Sequence, residues 1–195
     1  QRKLIFNFLI KKLKMNLSFI EACVIGDIKK VKEIFEKGNI DIHNRDENAF
    51  CCACGFGHLH IAKWLIEISE ENKLGPINIH VNYEEAFRLA CKNGYFEIAK
   101  WLLYISEENK LGSINIHVRN ELAFRLACYY DRLKIIKWLL SLYTRKELKN
   151  LNHSLAKEEL ENRKKINIEL ILYLNKNKFK LLDMHAIAIS WRDFL

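Results

Sequence analysis

The sequence predicts an all-α solenoid of stacked helix pairs, and three observations carry that expectation. A long motif recurs: ISEENKLGPINIH over 68–80 returns as ISEENKLGSINIH over 105–117, with twelve of thirteen positions identical. The same 37-residue offset relates Trp64, Trp101 and Trp138, then His43, His80 and His117, then Ala53, Ala90 and Ala127. Self-similarity at a fixed period of this length marks repeat architectures, in which each unit is one supersecondary element. The third observation is compositional. One proline and seven glycines in 195 residues leave little for turn-rich β structure, while half the residues are apolar, enough for a sizeable core and too many for a disordered chain.

Residues 1–16 read as a separate basic segment. They hold five lysines and arginines and no acid, whereas 17–150 hold 19 basic and 18 acidic groups and 151–195 hold 8 and 6. The net charge of +8 is therefore concentrated at one end. A nucleic-acid binder would carry a basic stripe along its folded surface; none is visible, so no specific nucleic acid is expected. The apolar run 4–10 is far shorter than the roughly 20 residues that cross a bilayer. Lys11, Lys12 and Lys14 follow it where a cleavable secretory signal needs small residues. The expectation is a cytoplasmic, reducing location with no transmembrane segment. The chain begins at Gln1, which reads as a fragment, with Met15 as an internal start.

The repeats occupy 17–143, divided into 17–39, 40–76, 77–113 and 114–143. The first is shorter, since Ala22-Cys23 stands 31 residues before Ala53-Cys54. In the clearest copy, EAFRLACKN over 85–93 puts Ala86, Phe87, Ala90 and Cys91 on one helical face, and Gly94 breaks the chain. A second helix follows from Phe96, with Ile98, Ala99, Leu102 and Leu103 apolar, too many for one solvent-exposed stripe. Such a helix needs cover on most sides, which stacked copies supply and an isolated pair does not. The SEENKLG insert is expected to lengthen the second helix by a turn and to end it at Gly75 or Gly112, glycine being preferred just past a helix end. Residues 144–195 read as a divergent repeat and cap, with helices over 153–163, 166–176 and 183–194. The whole is then a monomeric solenoid of four to five helix-turn-helix units with terminal capping helices.

The run EAFRLACKNGY over 85–95, followed by IAKWLL over 98–103, resembles the ankyrin repeat pattern T-P-L-H-x-A, A-x-x-G-H and V-V-x-x-L-L. The neighbouring copies fit the same frame, and the wording around INIH and AFRLAC is similar to ankyrin proteins of giant DNA viruses. The sequence departs from the family at Asn48-Ala49, Glu85-Ala86 and Leu122-Ala123 in place of Thr-Pro, and at Cys51, Arg88 and Arg125 in place of the motif histidine. Glu85 comes only five residues after His80, so the finger between units is short and little true strand is expected.

The resemblance implies a non-catalytic, protein-binding module, with the partner held by loop tips and first-helix residues on a concave face, and it suits an adaptor. Carried over by position, the loop tips are Arg45, Asp46 and Glu47, then Asn82, Tyr83 and Glu84, then Arg119, Asn120 and Glu121. The first-helix positions are Phe56, Lys92, Asn93, Tyr129 and Tyr130. Aromatic residues and arginine most often anchor interfaces, which favours Phe56, Tyr83, Tyr129, Tyr130, Arg45 and Arg119. The alternative is peripheral binding to anionic membrane or nucleic acid through 1–16.

Other recurring residues read as structural. Cys23, Cys54, Cys91 and Cys128 hold one position in four units. Stacked helices lie about 8–10 Å apart, which no metal with bonds of about 2.3 Å can bridge. The histidine ladder is expected to tie each loop's backbone to the next, and the tryptophans to pack between units. No nucleophile, base and orienting group converge, and there is no phosphate loop or zinc-protease motif. No cofactor, metal or small-molecule substrate is therefore expected.

Overall fold

The computed structural model describes residues 2–38, 40–108 and 112–144. Among them every regular element is a helix. These are α1 (Arg2–Ile25), α2 (Ile28–Glu36), α3 (Asn44–Gly55), α4 (Leu59–Glu71), α5 (Val81–Asn93), α6 (Phe96–Glu108), α7 (Val118–Tyr129) and α8 (Leu133–Leu142). The chain forms two compact units, 1–123 and 124–195. The divergent repeat and cap expected over 144–195 lie outside the described residues, Thr144 apart.

Neither glycine nor proline interrupts 2–25, and α1 runs unbroken past the expected boundary at 16/17. Gly26 ends it in the left-handed conformation, φ 88°. Gly57, Gly94 and Asp131 stand at the same turn in the later pairs, with φ of 90°, 89° and 56°. In each turn a repeated alanine carbonyl closes the loop. Ala22 accepts from Asp27, Ala53 from His58, Ala90 from Tyr95 and Ala127 from Arg132, at 2.8–3.1 Å. Asp27 also caps α2 by accepting from the Lys30 amide.

In unit 1 the first helices form a row, α1 against α3 and α3 against α5, with α2, α4 and α6 each packed on its own partner. The alanines on the facing sides are fully buried because only a small side chain fits between helices this close. Phe19, Phe50 and Phe87 fill the adjacent space, each contributing about 2–3 kcal/mol through burial. Trp64 meets Phe35 edge-on at 5.5 Å, and Trp101 meets Phe50 at 6.3 Å, so these indoles pack against the preceding repeat. In unit 2 Phe124 of α7 lies against Tyr143 beyond α8, while Ile135, Ile136, Leu139 and Leu140 are buried.

The insert lengthens the second helix as expected, to thirteen residues in α4 and α6 against nine in α2, but α4 ends before the glycine. α4 stops at Glu71, four residues before Gly75. Lys73 takes the left-handed position, φ 53°, while Leu74 donates to the Ser69 carbonyl and Lys73 to that of Glu70. These are the paired bonds of a Schellman ending. Buried Ser69 donates its hydroxyl to the Gly75 carbonyl, folding the rest of the insert back on the helix.

Candidate partner-binding loops

Each loop starts with an Asx turn. The amides of His43, His80 and His117 donate to the side-chain oxygens of Asp41, Asn78 and Asn115 at 3.0–3.1 Å. Three consecutive left-handed residues follow, namely Arg45, Asp46 and Glu47, then Asn82, Tyr83 and Glu84, then Arg119, Asn120 and Glu121, with φ between 51° and 61°. Only after this left-handed turn does each right-handed first helix begin. Left-handed backbone costs a non-glycine residue about 1–2 kcal/mol, so the loop requires compensating bonds.

The third residue of each turn supplies them. Glu47, Glu84 and Glu121 accept from the imidazole Nδ1 of His43, His80 and His117 at 2.8–2.9 Å. Glu47 Oε1 also accepts the Asn78 amide at 3.1 Å, and Glu84 Oε1 the Asn115 amide at 3.2 Å. Glu47 and Glu84 thus join their own histidines to the backbone of the next loop. Such bonds to an ionised acceptor are worth about 1.5–3 kcal/mol apiece. The inter-loop tie expected of the histidines is made by the glutamates; the imidazoles hold the carboxylates in place. Glu47 and Glu84, with 5% and 6% of their surface exposed, belong to the interior of the loops.

The first two residues of each turn face solvent. Arg45, Asp46, Asn82, Tyr83, Arg119 and Asn120 are exposed. The Arg119 guanidinium lies 4.8 Å above the Tyr83 ring, a cation–π contact between neighbouring tips. Arg88, at the position of the missing motif histidine, donates to the carbonyls of Tyr83 and Asn82 at 2.7 and 2.8 Å. It takes over the tie from helix to turn, a role the sequence reading did not assign. Asn82 donates its side-chain amide to Glu85.

The first-helix positions divide. Phe56 is half-exposed, whereas Asn93 donates to the Gly55 carbonyl of the previous repeat at 2.6 Å and serves stacking. Lys92 is partly buried. In unit 2 Tyr129 and Tyr130 are exposed and meet edge to face at 4.9 Å.

Among the described residues no three His, Cys, Asp or Glu side chains converge as metal ligands. Burial pushes the Cys23 thiol from its ordinary value near 9 up to about 12. Burial likewise raises Cys51, with Glu85 adding to the effect, and raises Cys54 and Cys91. These groups ionise in the unfolded chain first, so stability falls as pH rises above about 9 and toward the folded values. Urea titrations at pH 8 and 10 are expected to show this loss, with Cys54→Ala flattening the slope; an unchanged slope would contradict it. Alkylation at pH 8 should spare Cys23, Cys54 and Cys91 until the chain unfolds.

The repeat frame now has both its sequence period and its geometry. The model of the family described as Ankyrin repeats (3 copies) matches residues 19–111. No curated protein matches the chain. Ankyrin repeats are generally protein–protein interaction modules and typically non-catalytic. The matched segment runs from within α1 past the end of α6, and the next left-handed turn and helix pair follow over 118–142. No described helix is long and apolar enough to cross a membrane.

Proposed function

We propose that this chain is a non-catalytic adaptor module that captures a partner protein on the exposed tips of its ankyrin loops. The observation that carries this is the Arg119–Tyr83 pair. Both side chains are exposed and of the types that anchor interfaces. The Tyr83 backbone is held by Arg88 and buried Glu84, and the Arg119 loop by Glu121 with His117 and by the Asn115 amide bonded to Glu84. A tip fixed before binding loses little conformational entropy on contact. Arg45, Asp46, Asn82 and Asn120 extend the surface, Phe56 adds an apolar contact, and Tyr129 with Tyr130 forms a second aromatic patch in unit 2.

Affinity capture with mass spectrometry, wild type against variants, tests this. Tyr83→Ala/Arg119→Ala is expected to lower recovery of the specific partner at least tenfold. Exposed Lys63→Ala on α4 is expected to leave it unchanged. Full recovery with the double variant would sink this choice of surface, and Tyr129→Ala/Tyr130→Ala measures the second patch separately.

A further inference from the structure

α1 extends beyond the repeat it opens. Leu17 stands 31 residues before Asn48, where the right-handed part of α3 begins, so the residues before it fill a stretch that later repeats give to loops. Asn16, Phe19, Ala22 and Cys23 mark the buried face of α1. Ile10, Leu13 and Leu17 recur at spacings of three and four along another line, about 140° around the helix from that face. They are 38%, 46% and 46% exposed. Beside them Lys11, Lys12 and Lys14 are exposed, and none takes part in an ion pair with a described residue.

A groove of about 560 Å³ runs along the α2 side of the same stretch, lined by Ile10, Lys11, Lys14, Met15, Ile34 and Lys37, among others. It opens beside the end of α2, which has nine residues where α4 and α6 have thirteen and is followed by no SEENKLG insert. Lys14 stands about 70° round the helix from this aliphatic line and Lys11 and Lys12 about 130° to either side, so the lysine stems flank the apolar line and reach round the helix toward any surface it meets. Duplex nucleic acid would engage the lysines and leave the leucines in water. No arginine or aromatic residue, the usual nucleic-acid contacts, occurs in 10–17. An interfacial helix on an anionic bilayer uses both classes: aliphatic side chains enter the acyl boundary while lysine stems reach up to the phosphates.

We propose that α1 docks this protein reversibly on anionic phospholipid surfaces, with Ile10, Leu13 and Leu17 in the acyl boundary and Lys11, Lys12 and Lys14 on the headgroup phosphates. This docking is independent of the loop tips. Three aliphatic residues bury little area, so attachment needs the charge term and is released by salt.

Co-sedimentation of the full chain with phosphatidylcholine vesicles, with and without about one-third phosphatidylserine, tests it. Binding is expected only to the serine-containing vesicles, with loss at high salt. Each lysine near the surface contributes roughly fivefold, so Lys11→Ala/Lys12→Ala/Lys14→Ala should weaken binding about a hundredfold. Leu13→Ser/Leu17→Ser should weaken it at least tenfold with all charges kept. Circular dichroism and thermal midpoints should match wild type for both variants, since every altered residue is exposed. Equal binding to neutral vesicles, no binding to either kind, or wild-type binding by the leucine variant would overturn the proposal. So would tighter binding to duplex DNA than to the anionic vesicles at the same salt.

Discussion

Gly57→Ala is expected to destabilise the repeat array by about 2–4 kcal/mol, with a lower urea midpoint and a lower thermal midpoint. Two effects combine. At φ 90° an alanine sits in backbone that L side chains rarely adopt. Its Cβ would also lie 2.4 Å from the Tyr95 ring, which covers this turn from the next repeat. Gly75 separates the two contributions: its φ is 101°, and a Cβ there meets nothing within 4 Å. Gly75→Ala should therefore show only the conformational cost, about 1–2 kcal/mol. Tyr95→Ala in the Gly57→Ala background should recover part of the difference, as a double-mutant cycle would register. Equal losses from Gly57→Ala and Gly75→Ala would show that the Tyr95 contact contributes nothing.

Replacing Glu84 by alanine should cost about 2–4 kcal/mol, because two hydrogen bonds to a buried carboxylate are lost together. The His80 Nδ1–H and the Asn115 amide would both lose their acceptor. The left-handed backbone at 82–84 would remain without the bonds that offset it. Glu84→Gln keeps the shape and one acceptor oxygen, so a smaller loss is expected. Hydrogen exchange gives a local measure, since the Asn115 amide should lose protection before the helices do. If Glu84→Ala cost under about 0.5 kcal/mol and left that amide protected, the loop would be held by something other than the carboxylate.

The spacing of His43 to Glu47, His80 to Glu84 and His117 to Glu121 is four residues in all three loops, so the signal for this pair was present in the sequence. Position in the loop suggested outward-facing tips for all three glutamates. A charged residue in a polar loop defaults to solvent, and nothing in one dimension shows that the left-handed turn swings the third side chain inward. Arg88 was similarly legible as a departure from the motif histidine, yet its new bonds to the Tyr83 and Asn82 carbonyls depend on where that turn places them. SEENKLG was visible as an insert after the second helix. Its return onto Ser69 depends on Lys73 adopting positive φ, which residue preference would have assigned to the glycine.

The sequence by itself determined the helix pairs, their 37-residue period and the interior role of the repeated alanine and of Cys23, Cys54 and Cys91, whereas Cys128 at the same position is only partly buried. Periodic apolar spacing is a local property, and repetition multiplies a weak signal until it is decisive. Tertiary structure alone decided which loop residues face solvent and which hold the loop together. That division rests on bonds spanning 31 residues, from Glu47 to Asn78 and from Glu84 to Asn115, and on one repeat's side chains covering the preceding repeat's turn. The same is true of α1. Composition showed its positive charge, but only its burial pattern showed Ile10, Leu13 and Leu17 on a line that no repeat covers.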